Sequence, residues 1–138
     1  MISDPNSVVT SVIFGPQNYL YSTGANDGCI KIWDLRGREL DSFDQLIYLQ
    51  RLDYCGLNEK AEGFTSLALD SKHRLYASCT DNRIYSYDYK GSVGVKQESD
   101  YVKTFRGASV TNYTRICILN DDLLLSGSNQ AEVCTISI

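Results

Sequence analysis

Apolar and polar residues alternate along this chain in short runs, and turn-forming residues break the runs. The first three runs are about Val8–Phe14, Tyr19–Thr23 and Cys29–Trp33. Each is rich in β-branched and aromatic residues, which fit a pleated, half-buried surface. Gly15-Pro16-Gln17-Asn18 and Asn26-Asp27-Gly28 separate them. Asp-Gly favours a tight hairpin because both residues tolerate positive φ. The same pattern returns later, with Asp70-Ser71-Lys72-His73 and Asp81-Asn82 as the breaks. No convincing amphipathic helix is present. Leu40 to Leu57 is the least regular stretch, and it predicts a fourth strand at Leu46–Gln50 followed by a long connecting loop. Tyr101–Phe105 predicts the fourth strand of a second unit, leading to Arg106-Gly107.

The recurrence is an internal repeat. Val9 to Gly37 matches Phe64 to Gly91: Thr10-Ser11 aligns with Thr65-Ser66, and Leu20-Tyr21 with Leu75-Tyr76. After a one-residue deletion, Asp27 aligns with Asp81, Trp33-Asp34 with Tyr87-Asp88, and Gly37 with Gly91. A weaker third copy runs from about Tyr113 to Ile138, with Ile116 and Ile118 in a strand, a turn at Asn120-Asp121-Asp122, and Leu124 to Ser128 as the next strand.

The order T-S-V, S-x-G, D-G, I-K-I-W-D in the first unit is similar to the WD repeat. That resemblance implies an all-β fold of WD40-type β-propeller blades, about three four-stranded antiparallel blades in an incomplete propeller. Blade one is expected over about residues 1–50, blade two over 51–107 and a partial blade three over 108–138. It implies that the Trp-Asp end of the third strand packs against the neighbouring blade. It also makes Asp27 and Asp81 structural turn residues that accept hydrogen bonds. Trp33 and Tyr87 are 54 positions apart, more than the usual ~40–45, and an insertion at 38–62 accounts for the excess. A propeller closes with roughly 4–8 blades. The expectation is a piece of a longer protein, with a truncated product or a ring completed by another chain as alternatives.

Composition narrows the function. Thirteen basic and 17 acidic residues give a net charge of −4, which argues against nucleic acid or anionic lipid bound by bulk charge. The first residues lack a basic region followed by an apolar core, and no apolar stretch approaches membrane-spanning length, so neither secretion nor a membrane is expected. Five cysteines, Cys29, Cys55, Cys79, Cys117 and Cys134, include no CxxC pair; they read as buried free thiols. The ten tyrosines mostly alternate within strands, as Tyr85, Tyr87 and Tyr89 do, so they read as strand composition rather than a base-stacking surface.

Enzyme chemistry lacks its parts. The one histidine, His73, lies between Lys72 and Arg74 in a turn, with no nucleophile or orienting partner beside it. One histidine and no paired cysteines leave zinc without a ligand set, and no phosphate-cradling glycine loop is present. Asp121 and Asp122 read as a solvated turn. No catalytic residue, metal or cofactor is expected. Arg36 is different: blade structure explains Trp33 and Asp34 but not an arginine just past the strand end. There it should emerge on one rim as a planar fork for oxygen acceptors on a partner.

Trp33-Asp34-Leu35-Arg36, with Asp27 in the turn before it, resembles the motif of WD proteins that dock on the large β-propeller adaptor of cullin–RING ubiquitin ligases. The run Ser22 to Arg36, the long insertion, Gly63 to Ser71, Ala77 to Asp88, Phe105 to Tyr113 and Asn120 to Ser128 together resemble the denticleless family over nearly the whole chain. The resemblance implies a substrate receptor of a cullin-4-type ligase, nuclear, acting in cell-cycle and DNA-replication control. Its partners would be the adaptor propeller and substrate proteins. It makes Trp33, Asp34 and Arg36 adaptor-binding residues. Asp88 and Lys90 form a weaker second adaptor motif, because lysine keeps the charge but loses the fork. Two positions depart from the pattern: Gly107-Ala108 stands where Gly-His is usual, and Thr135 stands where tryptophan is expected. The alternatives are a generic WD interaction scaffold in an unrelated complex or a non-functional propeller fragment.

Overall fold

A computed structural model describes residues 8–36, 50–54, 56, 62–87, 101–106 (backbone), 114–128 and 132–138. These residues form three antiparallel sheets. The first runs in the order β1 (Val9–Phe14), β2 (Tyr19–Gly24), β3 (Cys29–Asp34), β4 (Gln50–Asp53). The second runs β5 (Phe64–Leu69), β6 (Leu75–Cys79), β7 (Arg83–Tyr87), β8 (Tyr101–Arg106). The third has β9 (Ile116–Asn120), β10 (Leu123–Gly127) and β11 (Val133–Ser137), with β10 in the middle. The expected all-β blades are therefore present, the third with three strands among the described residues instead of four. The described part of the fourth strand of blade one is Gln50–Asp53, so blade one continues past Gln50, the expected end, to Asp53. Leu46 to Leu49 lie outside the described residues.

The turns form where the left-handed backbone is affordable. Gly28 (φ 59°), Asn18 (φ 61°) and Asn82 (φ 65°) are residue types that visit this region readily, while Gln17 (φ 55°) and His73 (φ 64°) adopt it at some cost. Asp70 supports the second of these turns. Its buried carboxylate accepts from the amides of Lys72 (2.9 Å) and Arg74 (2.8 Å) and from Arg74 Nε (2.6 Å).

Period two sends neighbouring side chains to opposite faces, and the middle sheet packs a described neighbour on each. Tyr19, Tyr21, Ile30, Ile32 and Leu52 meet Phe64, Leu67, Leu75, Ala77, Cys79, Tyr85 and Tyr87 in one core between blades one and two. The Phe64 ring packs edge-on against Tyr54, Tyr85 and Tyr87 at 6.4, 6.1 and 6.5 Å between centroids. Ala68, Tyr76 and Ile84, on the other face of blade two, meet Ile116 and Leu124 of blade three. Val12 and Phe14 are the counterparts of Leu67 and Leu69; no described sheet covers them, and they are 51% and 75% exposed.

A repeated polar stitch joins the blades. The register of β1 slips between Val9 and Ser11, and that of β5 slips between Phe64 and Ser66. These bulges turn two hydroxyls outward. Ser11 Oγ accepts from the Leu67 amide, and Ser66 Oγ accepts from the Ile116 amide, each at 3.2 Å. Thr10 Oγ1 donates to the Phe64 carbonyl at 2.6 Å. Arg115 stands at the serine position of blade three and sends Nη1 back to the Thr65 carbonyl at 2.9 Å. At the start of blade two, Gly63 is needed for close approach to blade one, because a Cβ there would run into the Ala25 carbonyl.

Three sequence expectations are revised. Leu124 pairs with Ile136 as Leu20 pairs with Trp33 and Leu75 with Tyr87, so Ile136, not Thr135, occupies the tryptophan position of blade three. The bonds Leu35 N to Asn18 O and Ile138 N to Asp122 O, both 3.0 Å, agree with that register. Among the cysteines, Cys29 and Cys79 are buried and free, but Cys117 is exposed and Cys134 half-buried, because strand alternation turns Cys117 away from blade two. Cys55 lies outside the described residues. Burial, with the nearby Asp27 charge, pushes the Cys29 thiol up to about 11. Asp121 is more than a solvated turn residue: it accepts from Ser71 Oγ and from the Ser71 amide (3.1 Å), tying blade three to blade two.

Ser66→Ala removes the acceptor of a buried amide and should destabilise the protein by about 1–3 kcal/mol in urea unfolding. Ser71 holds the Asp121 carboxyl below its ordinary range. A depressed carboxylate contributes stability that is fully present above the unfolded pKa and is lost as pH falls through the folded value. Stability measured from pH 5 down to pH 2 should therefore fall more steeply in the wild type than in Asp121→Asn.

Candidate functional site

The end of β3 is anchored on one face and displayed on the other. Trp33 is 5% exposed, and its Nε1 donates to Ser22 Oγ at 2.8 Å, across from Leu20 on the adjacent strand. Its neighbour Ile32 points into the core shared with blade two, so Trp33 lies on the face turned away from that blade. The expectation that this position packs on a neighbouring blade is met at Tyr87, whose ring lies against Phe64 in the core between blades one and two.

Asp34 and Arg36, two residues apart, fall on the same side, and the β2–β3 register sets Tyr19 directly opposite Asp34. The three residues meet. Arg36 Nε lies 2.9 and 3.0 Å from the two Asp34 carboxylate oxygens, and Arg36 Nη2 lies 2.6 Å from Oδ2. The Arg36 amide donates to Asp34 Oδ1 at 2.9 Å. The guanidinium carbon sits 5.0 Å from the centroid of the Tyr19 ring, within cation–π range. The arginine side chain is 48% exposed and that of Asp34 22%. Arg36 thus does reach the rim, but its fork closes on Asp34.

Other residues singled out from sequence fall elsewhere. Asp81 (3% exposed) accepts from the Arg83 amide (3.1 Å), from Tyr54 OH across the blade boundary (3.0 Å) and from Tyr85 OH. Burial, and then the bond to Asp81, push the Tyr85 phenol up, so it stays a protonated donor. Asp27 pairs with Lys31 Nζ at 3.3 Å, Lys31 standing where blade two has Tyr85. Asp88, Lys90, Gly107 and Ala108 lie outside the described residues. His73 is exposed in its turn. Tyr19, Tyr21, Tyr76, Tyr85 and Tyr87 are each at most 2% exposed, so these rings offer no stacking surface. Among the described residues, no His/Cys/Asp/Glu cluster could hold a metal and no helix is long and apolar enough to cross a membrane. Sequence reasoning missed Tyr19 and Ser22; counting outward from the Asp27-Gly28 turn sets Tyr19 opposite Asp34 and Ser22 opposite Lys31, diagonal to Trp33.

Repeated four-stranded antiparallel blades with a Trp-Asp third strand define a WD-repeat β-propeller chain. The family model of the WD domain, G-beta repeat, matches residues 2–34. The fold is that of the solved mitotic checkpoint complex (TM-score 0.68, 18% identity, 98% of this chain and 35% of that one). It is also that of the Myceliophteria thermophila Cps50 (Swd1) β-propeller domain (TM-score 0.67, 14% identity, 95% of this chain and 40% of that one). More particularly, this is a WD-repeat protein related to the denticleless proteins. It is 36% identical over 129 residues to the denticleless protein homolog of Mus musculus, covering 91% of this chain and 17% of that protein. It is 35% identical over 127 residues to the protein lethal(2)denticleless of Drosophila melanogaster, covering 90% of this chain and 16% of that protein. The chain therefore spans about a sixth of the length of the curated relatives it matches.

The anchored and displayed halves of this strand end should separate in stability measurements. Trp33→Phe deprives Ser22 of its donor and leaves space, costing about 1–3 kcal/mol. Arg36→Ala removes an exposed pair, costing at most about 1 kcal/mol. Urea unfolding of the two variants checks the order.

Proposed function

We propose that this chain is part of a non-catalytic protein-binding scaffold that serves as a substrate receptor of a cullin-4-type RING ubiquitin ligase, in the nucleus, in cell-cycle and DNA-replication control. The observation that carries this reading is the 36% identity to a denticleless homolog over nine-tenths of the chain. The adaptor-binding residues are Trp33, Asp34 and Arg36. Trp33 does its part from inside, by fixing the strand end through Ser22. Arg36 does its part from outside, as a half-exposed guanidinium on the rim. Arginine is enriched at the energetic centres of protein interfaces, where its planar head makes several hydrogen bonds at once. Asp88 and Lys90 belong to the same reading as a second, weaker contact on the adaptor.

The test is Arg36→Ala in the full-length protein, with recovery of the adaptor propeller and cullin by affinity purification. Loss of a charged hydrogen-bonding contact should lower adaptor affinity by about 10- to 100-fold. Adaptor recovery equal to wild type would remove Arg36 from the contact. Purification that yields neither adaptor nor cullin, even from wild type, would leave a WD scaffold of some other complex.

A further inference from the structure

On the rim of blade one, Arg36 is held by Asp34 and Tyr19; the blade-two counterparts of Asp34 and Arg36 lie outside the described residues. The Tyr19–Asp34 cross-strand pair of blade one corresponds to Leu123–Ser137 in blade three. In blade two the Tyr19 position is Arg74, which is engaged by the buried Asp70 carboxylate. Blade three keeps its hairpin register, and its Ile138 N to Asp122 O bond, without the aromatic ring or the carboxylate. Blade folding therefore does not require the pair, and their presence beside Arg36 calls for another reason.

We infer that Tyr19 and Asp34 are positioning residues for Arg36, presenting a charge-compensated, flat guanidinium that selects neutral oxygen acceptors on the partner, main-chain carbonyls or amides, over carboxylates. This rests on the reading of Arg36 as the adaptor contact. Asp34 takes one edge of the fork through Nε and Nη2, and clamps the Arg36 amide as well. A partner carboxylate approaching this arginine meets the Asp34 charge a few ångströms behind it, whereas a neutral carbonyl meets no such penalty. A guanidinium has five N–H donors, so a bidentate pair leaves it capable of further bonds without breaking that pair. Tyr19 supplies the floor: its ring is 2% exposed and locked in the core, so the arginine plane rests on a fixed surface. Holding a long side chain in place before binding lowers the entropy lost on docking.

A double-mutant cycle on the full-length protein, titrated against the purified adaptor propeller, tests the assignment. Asp34→Asn and Tyr19→Leu should each weaken binding by about three- to tenfold, and Tyr19→Phe, which keeps the ring face, should bind like wild type. With Arg36 already alanine, neither change should weaken binding further, an outcome a merely structural role would not produce. The penalty of Arg36→Ala should be equal at about 50 and about 300 mM salt, since a compensated pair has little net charge to screen. Tyr19 lies in the core, so unfolding midpoints accompany each variant; if Tyr19→Leu fails to fold, Asp34→Asn, at the edge, decides. Tighter binding by Asp34→Asn, or full additivity with Arg36→Ala, would overturn the positioning role while leaving the adaptor contact in place. No effect of Arg36→Ala at all would overturn both.

Discussion

The structure depends on a hydroxyl stitch placed by a backbone irregularity. In a regular strand, Thr10-Ser11 and Thr65-Ser66 would stay in the ladder of their own sheet. The register slips beside them free Thr10 and Ser11 of blade one, and Ser66 of blade two, to bond the next blade. Ser11 and Ser66 each accept a main-chain amide of the following inner strand. That single bond fixes how far one sheet slides along its neighbour. Hydrophobic burial is non-directional and would tolerate several offsets between two flat apolar faces. The stitch selects the offset at which Tyr21 and Ile32 meet Leu75 and Tyr85, and at which Tyr76 and Ile84 meet Ile116 and Leu124. Where blade three replaces the serine with Arg115, the contact is made in the reverse direction, from guanidinium to carbonyl.

Much of this was legible in the chain because strands and tight turns are local. The runs at Val8–Phe14, Tyr19–Thr23 and Cys29–Trp33 became β1, β2 and β3 with ends moved by a residue at most. The turn types followed from Gly28, Asn18 and Asn82, which take positive φ readily. The third blade was harder to align. Counting along the chain put Thr135 at the tryptophan position, while cross-strand pairing puts Ile136 there. The error is one residue, and in a strand one residue is the whole difference between faces. Ile136 packs toward the core shared with blade two, as the replacement of an aromatic residue should. The described part of the outer strand of blade one, Gln50–Asp53, runs past the stretch that the alternation marks, because an edge strand has little alternation to show and its burial rests on Leu52 alone.

The candidate site was legible in part, for a related reason. Trp33, Asp34 and Arg36 lie within four consecutive positions and are visible as a motif. Asp70 and Asp121, by contrast, sit in turns where aspartate is expected for backbone reasons alone. Nothing local shows that one is buried under Arg74 and the other reaches Ser71 of another blade. Tyr19 is 15 positions from Asp34 and 17 from Arg36, and it enters only through the β2–β3 pairing.

That pairing also changes what Arg36 is. An arginine read from a sequence is an exposed positive fork waiting for an acid. Here the acid is supplied from within the same strand, two residues back. Coulomb energy between unit charges at this range is several times larger near a protein surface than in bulk water, so a rim carrying Arg36 alone and a rim carrying the Asp34–Arg36 pair are different surfaces to an approaching partner. The first attracts over distance and falls with salt. The second attracts weakly over distance and discriminates at contact, by whether oxygen acceptors lie in the plane of the guanidinium. In a chain of net charge −4, long-range attraction between this rim and an acidic surface would already be opposed by the rest of the molecule. Under the proposed function, recognition through Arg36 would come from placement, and what places it is Trp33 from one face of β3 and Tyr19 and Asp34 from the other.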